Sequence, residues 1–179
     1  MSRTGWTDEG IDMRVLVSAA SKHGSTREIA GVIAKTLDRA GFDCDHIEPA
    51  DIADAGHYDA VVVGSAIYMG QWLGEARDLL ERIESQVSTK PLWLFSSGLS
   101  ESPRTRGSAP PVGGSRIERL QPCEHQHFSG KLDVLQLSLA ERAAILAARG
   151  TYGDARDMDA VAEWAASIGR TLAASVHPV

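Results

Sequence analysis

Three short stretches of the sequence are apolar throughout and lack the polar alternation of a half-exposed strand. They are residues 15–17, 60–64 and 92–95, with the sequences V-L-V, A-V-V-V-G and L-W-L-F. Strands of this composition are typical of the centre of a parallel sheet, where helices cover both faces. Segments with apolar residues at helical spacing follow the first two stretches, at residues 26–37 and 73–87. This alternation predicts an α/β fold with a doubly wound parallel sheet.

Two less apolar strands complete the predicted sheet. Residues 42–47 form the second strand, after a first helix that ends at Gly41, where a glycine is expected beyond a helix C-terminus. Residues 124–128 form the fifth strand, and an alanine-rich helix over residues 137–149 follows it. Five strands with these connections fit the order 2-1-3-4-5, one of those found in doubly wound sheets, with helices on both faces of the sheet.

The length of the chain indicates a single domain. The last helix begins at residue 158, with Asp157 placed to cap it, and its apolar residues recur at helical spacing. The domain is therefore expected to cover residues 13–175. Residues 1–12 are polar and are expected to form a flexible N-terminal extension.

Composition limits the classes of partner and compartment. The net charge of −6 argues against nucleic acid and against a generic anionic membrane surface as partners. No apolar run is long enough to span a bilayer, and the polar start of the chain does not resemble a signal peptide. The two cysteines, Cys44 and Cys123, suggest no disulfide framework, so a reducing cytoplasm is expected. The sequence leaves a homodimer open.

The loop after the first strand has the composition of an anion-binding site. Residues 21–26 are S-K-H-G-S-T and lead directly into the first helix. A helix N-terminus offers unpaired N–H groups and a partial positive charge, the hydroxyls add donors, and Gly24 permits close approach. The patterns G-x-G-x-x-G and G-x-x-x-x-G-K-[ST] are both absent, so a terminal phosphate monoester fits this loop better than a dinucleotide or triphosphate. A plain strand–helix turn capped by Ser25, without a ligand, is the alternative.

Two further polar loops are expected at the carboxyl ends of strands, where ligands bind in open parallel sheets. Residues 65–72 contain two aromatic side chains, Tyr68 and Trp72, and residues 96–100 supply hydroxyl and backbone groups. A flat ring with one polar edge needs such surroundings. Each aromatic taken alone is more typical of ordinary packing, but the two together, opposite a phosphate-type loop, favour a ring ligand.

Several motifs resemble those of a known family. S-x-H-G-S-T followed by R-E-I-A, at residues 21–30, resembles the phosphate loop of the flavodoxin family. G-S-A-I-Y-M-G-Q-W, at residues 64–72, is similar to the flavin-ring loop of menaquinone-dependent protoporphyrinogen oxidases and their flavodoxin-domain relatives. F-S-G-K-L-D at residues 128–133 and G-D-A-R-D-M-D-A-V at residues 153–161 resemble the same branch. The resemblance implies a flavodoxin-like fold and FMN bound non-covalently.

The resemblance also implies which residues bind the cofactor. Gly70 is expected to carry a backbone carbonyl that responds to protonation at flavin N5, because glycine tolerates the peptide flip that this requires. The flavin itself reacts, so no catalytic acid or base is implied. The phosphate residues are Ser21, His23, Gly24, Ser25 and Thr26, and the ring residues are Ala66, Ile67, Tyr68, Met69 and Gly70, with Ser97 and Gly98 along the pyrimidine edge.

The fold is compatible with three functions. A receiver-type signalling domain needs an acidic Mg²⁺ pocket at the ends of strands one and three, where this sequence has S-A-A and G-S, so we exclude it. Electron carriers of the flavodoxin type usually surround the flavin with acidic residues, but residues 65–72 and 96–100 carry no charge. The sequence therefore favours an FMN-dependent oxidoreductase that acts on a small molecule or a quinone, with the electron carrier as the alternative.

Two other segments have competing interpretations. The helix over residues 137–149 is interpreted as packing on the sheet, because its polar face is less basic than that of a membrane-surface helix. A membrane or partner helix is the alternative. Cys123, His125 and His127 alternate along the fifth strand, but a structural zinc site needs four ligands, so we interpret them as ordinary strand residues.

Charged residues near the expected site are also open to two interpretations. Lys22 and His23 either add positive charge to the phosphate loop or face solvent. The segment over residues 101–114 is rich in Pro, Gly, Ser and Arg and is expected to be a mobile loop. Its arginines are interpreted as exposed loop charges, and steering of an anionic substrate is the alternative. The residues concerned are Arg104, Arg106 and the nearby Arg116.

Overall fold

A computed structural model describes residues 12–68, 70–98, 119–132, 138–147 and 153–176, and strands and helices alternate along them. The helices α1 to α4 are Ser25–Arg39, Gly74–Val87, Leu139–Ala147 and Met158–Val176. The strands β1 to β8 are Arg14–Ala20, Asp43–His46, Ala60–Tyr68, Gln71–Trp72, Leu92–Gly98, Glu124–Ser129, Lys131–Leu132 and Gly153–Asp154. One 3-10 turn, Pro49–Asp51, follows β2.

Five parallel strands form the main sheet, in the order β2-β1-β3-β5-β6. When these five are numbered in chain order, the predicted order 2-1-3-4-5 is confirmed. The pairing aligns the carboxyl ends of the inner strands: Ala20 of β1 lies opposite Ser65 of β3, and Ala66 of β3 lies opposite Ser97 of β5. The segments that follow β1, β3 and β5 therefore meet at one edge of the sheet.

Apolar side chains form one core on each face of the sheet. One core packs β1, β3 and β5 against α1 and α4, and the other packs the same strands against α2. Gly64 in β3 is required by this packing, because a Cβ atom there would lie 2.1 Å from the Phe95 ring. The two cores confirm that the sheet is covered on both faces, as the apolar strands predicted.

The predicted helix caps at Gly41 and Asp157 are both present. Gly41 has φ 95°, its N–H donates to Asp38, and the N–H of Phe42 donates to the carbonyl of Leu37. These two bonds form a Schellman motif, in which a left-handed glycine ends a helix. At the start of α4, Asp157 Oδ1 accepts a hydrogen bond of 2.9 Å from the N–H of Ala160.

The predicted ends of two inner strands were wrong. The segment over residues 65–72, expected to be a loop, continues β3 as far as Tyr68, turns at Gly70 and returns as the short antiparallel strand β4. Likewise β5 continues to Gly98, so Ser96 and Ser97 are paired strand residues with buried side chains rather than loop residues. The polar residues at these positions follow an apolar run, which is why the sequence alone suggested that the strands had ended.

The helix expected over residues 137–149 is α3, Leu139–Ala147. In its first turn Leu139 is 83% exposed and Glu141 is buried. The expected packing of the helix on the sheet stays a prediction. Within the described ranges, no helix has both the length and the hydropathy to cross a bilayer. The loop over residues 101–114, with Arg104, Arg106 and Arg116, lies outside the described residues.

Candidate functional site

The loop between β1 and α1 folds back on the N-terminus of the helix. Gly24 occupies the N-cap position with φ 84°, a left-handed conformation that glycine adopts without strain. Its carbonyl accepts the first helical hydrogen bond, 3.0 Å from the N–H of Glu28. Ser21 Oγ accepts a bond of 3.2 Å from the N–H of Thr26. The cap is therefore supplied by Ser21, and Ser25 does not cap the helix as the ligand-free interpretation required.

Several N–H groups at this helix end have no acceptor among the residues that the structure describes. The N–H groups of the first turn cannot bond within a helix, and among the described residues Gly24, Ser25 and Arg27 show no other backbone acceptor. A Cβ atom built on Gly24 would have no atom within 4 Å, so the space in front of the loop is open. Unpaired N–H groups, nearby hydroxyls and an open approach fit an anionic oxygen group such as a phosphate.

The proposed ring residues lie at the ends of β3 and β5. Ala66 pairs with Ser97 across the two strands, and Tyr68, which is 40% exposed, ends β3 beside the turn at Gly70. Gly70 has φ 79°, and open space surrounds its Cβ direction. Ile67 lies against Gly98, where a Cβ atom would be only 3.2 Å from Ile67 Cβ. Met69, the remaining ring residue, lies outside the described residues.

Trp72 does not belong to this site, which corrects the sequence interpretation. Only 2% of Trp72 is exposed, and its Nε1–H donates a bond of 2.8 Å to Ser96 Oγ. The ring of His125 packs edge-on against it, with 5.7 Å between ring centroids. Trp72 is thus a core residue on the α2 side of the sheet, and Tyr68 is the aromatic that remains accessible.

The residues considered as metal ligands are engaged in the sheet or exposed. His125 Nε2 lies 2.7 Å from Ser96 Oγ, and Cys123 is exposed. In the part of the chain that the structure describes, no group of three or more His, Cys, Asp or Glu side chains is placed to hold a metal ion. The polar chain of Trp72, Ser96 and His125 instead joins β4, β5 and β6 beneath the ends of the strands.

A residue that the sequence interpretation missed, Glu141 of α3, contacts the β1–α1 loop. Its carboxylate forms an ion pair with Lys22 Nζ, and its Oε1 lies 3.3 Å from His23 Nε2. The bond from Lys22, followed by bonds from Ser138, holds the pKa of Glu141 well below its usual range. Both basic side chains of the loop therefore face Glu141. The pattern S-x-x-E at residues 138–141 predicts a helix start, but no sequence pattern connects it to the loop.

The two C-terminal motifs singled out in the sequence pack on each other and on α1. Gly130 donates to the carbonyl of Gly98 at 2.9 Å, and the N–H of Lys131 donates to Ser25 Oγ at 3.3 Å. Arg156 joins the two motifs to the helix, because its guanidinium bonds both Asp154, at 2.7 and 2.8 Å, and Glu28 in the first turn of α1, at 2.5 Å. These bonds raise the pKa of Arg156 and lower that of Asp154 to about 2.

Comparisons with known proteins agree with this architecture. A family model described as a flavodoxin domain matches residues 16–159. Protoporphyrinogen IX dehydrogenase (quinone) of Escherichia coli K12 is 25% identical over 89 residues, 49% of this chain and 49% of that protein, so the match spans about half the length of this relative.

Two solved structures share the fold. A flavodoxin from the domain Archaea aligns with a TM-score of 0.53 at 17% identity, over 76% of this chain and 97% of that chain. Rubredoxin:oxygen oxidoreductase of Desulfovibrio gigas aligns with a TM-score of 0.58 at 15% identity, over 91% of this chain and 37% of that chain. With the family model matching most of its length, this chain belongs to the flavodoxin-domain family.

Proposed function

We propose that this protein binds FMN at the carboxyl edge of its sheet and acts as a redox protein. The observation that carries the proposal is the N-terminus of α1. There the N–H groups of Gly24, Ser25 and Arg27 have no acceptor within the described part of the chain, and no described atom lies within 4 Å of a Cβ built on Gly24. The phosphate-loop motif in the sequence and membership of the flavodoxin-domain family support the same ligand.

In this proposal the chain binds and orients the cofactor. Ser21, Gly24, Ser25 and Thr26 would hold the phosphate through N–H and hydroxyl groups, and Tyr68 would cover one side of the ring. FMN, when bound, supplies the electron-transfer chemistry, and the protein sets the environment of the ring. Gly70, at a turn with φ 79°, supplies a backbone carbonyl that is free to reorient.

We further infer that the protein works as an oxidoreductase whose electron acceptor is a quinone or another small molecule. The 25% identity to a quinone-linked protoporphyrinogen dehydrogenase supports this class. Tyr68, Gly70, Ser97 and Gly98 carry no charge, and Lys22 beside Tyr68 is already paired with Glu141. This favours an uncharged partner over the docking of a protein through charge pairs. An electron carrier that serves partner enzymes is the alternative, and residues 13–175 form the cofactor-binding domain in either case.

A fluorescence titration tests the cofactor. Apoprotein prepared by dialysis should quench the fluorescence of added FMN with a saturable, one-to-one profile, and the complex should be yellow. Riboflavin, which lacks the phosphate, should bind much more weakly, because the unpaired N–H groups of α1 then have no anion to bind. Unchanged FMN fluorescence at high protein concentration would refute the proposal.

An anaerobic experiment distinguishes the two proposed functions, oxidoreductase and electron carrier. The FMN-loaded protein is mixed anaerobically with an electron donor and an acceptor together, protoporphyrinogen with menaquinone in one experiment and NAD(P)H with menaquinone in another. Multiple turnovers of a donor–acceptor pair, with porphyrinogen oxidised as quinone is reduced, would support the oxidoreductase. A single stoichiometric exchange with each, without turnover, would favour the carrier.

A further inference from the structure

Lys22 connects the two ends of the proposed site. It is the second residue after β1, its Nζ lies 4.3 Å from the centroid of the Tyr68 ring, and it forms an ion pair with Glu141 of α3. The hydrogen bond to Glu141 raises the pKa of Lys22, so the ammonium is charged at any physiological pH. A permanent positive charge therefore lies over Tyr68, the accessible aromatic among the described residues of the site.

Glu141 is held in place independently of Lys22. Ser138 and Glu141 form a capping box at the start of α3: Glu141 Oε2 accepts bonds of 2.9 Å from the Ser138 N–H and 2.8 Å from its hydroxyl, and Ser138 Oγ accepts a bond of 3.3 Å from the Glu141 N–H. The carboxylate is thus a fixed negative charge, and only 8% of the residue is exposed. His23 Nε2 lies 3.3 Å from Glu141 Oε1, the oxygen that is also paired with Lys22.

The proposed ring residues beside these two charges are themselves uncharged. Tyr68, Ser97 and Gly98, the proposed ring residues nearest to the ends of β3 and β5, are uncharged. The electrostatic potential at a ring bound beside Tyr68 then depends on Lys22 and on how far Glu141 offsets its charge. The interaction of two charges declines with distance and with exposure to water. A ring that gains electrons becomes more negative and interacts more favourably with a nearby ammonium group.

We propose that Lys22 and Glu141 form a charge pair that sets the reduction potential of the ring bound at Tyr68, Lys22 raising the potential and Glu141 restraining it. This inference depends on the proposed binding of FMN. It assigns Lys22 a role beyond phosphate binding, and it gives α3, whose Leu139 is exposed, a function through its buried glutamate. A raised potential suits an oxidoreductase that takes electrons from a substrate, since the oxidised cofactor is then the stronger acceptor.

Substitutions at the pair predict shifts of opposite sign. Lys22→Gln should lower the potential of bound FMN, because it weakens binding of the reduced form relative to the oxidised form. Glu141→Gln should raise the potential, because it removes only the charge: glutamine also completes a capping box, so the start of α3 is kept. The double variant should return toward wild type. A tenfold change in the ratio of the two affinities corresponds to about 30 mV for a two-electron couple.

The measurements are anaerobic potentiometric titration of the FMN-loaded variants and the Kd of oxidised FMN for each. Lys35→Gln and Glu163→Gln, exposed positions on α1 and α4, are the matched controls and should leave the potential unchanged. A shift of both site variants in the same direction, or shifts no larger than those of the controls, would overturn the charge pair while leaving FMN binding intact. Failure of the wild-type protein to bind FMN would overturn the proposed function and this inference together.

Discussion

At the scale of the single residue, Thr26 offers the most direct test of the proposed phosphate site. Thr26 is 2% exposed, at the first turn of α1, and its N–H is already bonded to Ser21 Oγ. Its hydroxyl is the group left for a ligand. Thr26→Val keeps the shape of the side chain and removes the hydroxyl. We expect FMN to bind roughly 10- to 100-fold more weakly, because one hydrogen bond to a charged group is lost.

Thr36→Val is the control for that substitution. Thr36 is on the same helix, and its hydroxyl bonds the carbonyl of Val32 at 2.8 Å, away from the loop. Its FMN affinity should equal that of the wild type in the same fluorescence titration. Equal affinities for the two valine variants would show that the phosphate does not contact Thr26.

Residue-scale features of the site differ in how far the sequence determines them. The N-cap loop was predictable, because Ser21, Gly24 and Thr26 act through local backbone geometry. The sequence did not predict which of Tyr68 and Trp72 stays accessible at the site, since both follow the same buried strand. Only the turn at Gly70 determines which of them returns to the core. Trp72 then finds a partner in Ser96, on another strand, 24 residues away.

At the scale of secondary-structure elements, Arg156 is the connection between the C-terminal motifs and α1. Its side chain is 7% exposed and bonds Asp154 of β8 and Glu28 of α1. We expect Arg156→Gln to destabilise the protein by about 1–2 kcal/mol, because its partners are partly exposed and regain water. The melting temperature should fall by roughly 2–4 °C per kcal/mol in a domain of this size.

Hydrogen exchange locates the effect of that substitution. Amides of β7, β8 and the first turn of α1 should exchange faster in Arg156→Gln than in the wild type. Exchange in Arg156→Lys should be intermediate between these two proteins, because lysine retains the charge but lacks the planar guanidinium that bonds both carboxylates. Arg170→Gln, at an exposed position on α4, serves as the control. Uniformly faster exchange over the whole sheet would contradict a local connection.

The ends of helices and strands also differ in how well the sequence predicts them. Helix ends at Gly41 and Asp157 were predicted, because each cap uses residues within five positions of one another. The ends of β3 and β5 were not, because Ser65, Ser96 and Ser97 are polar residues whose burial depends on neighbouring strands. A strand that continues past its apolar run is recognisable only from its pairing partners.

At the scale of the whole molecule, two carboxylates link C-terminal elements to the first strand–helix unit. Glu141 of α3 bonds the loop before α1 from 118 residues away, and Asp154 of β8 is joined to α1 through Arg156, 128 residues from Glu28. The parallel sheet was predictable, because the alternation of strands and helices is a local pattern. These contacts were not, because nothing in the local pattern records a partner so distant in the chain.

The same two carboxylates predict how stability depends on pH. Bonds from Lys22 and Ser138 lower the pKa of Glu141, and the bonds from Arg156 lower that of Asp154 to about 2. The folded state therefore binds fewer protons than the unfolded state when the pH lies below the ordinary carboxyl values, so the free energy of unfolding falls as the pH falls. Both contributions are complete above about pH 5 and are lost progressively below it.

Thermal unfolding followed by circular dichroism between pH 3 and pH 7 measures this dependence. The melting temperature should be flat above about pH 5 and decline below it, and Glu141→Gln should decline less steeply, because glutamine keeps the capping box and does not titrate. Glu163→Gln, which removes an exposed carboxylate, should follow the wild-type curve. Since α3 is joined to the β1–α1 loop through Glu141, limited proteolysis at pH 4 should cut near α3 before it cuts the sheet. Identical pH profiles for the wild type and Glu141→Gln would show that this carboxylate does not couple the C-terminal part of the fold to its first strand and helix.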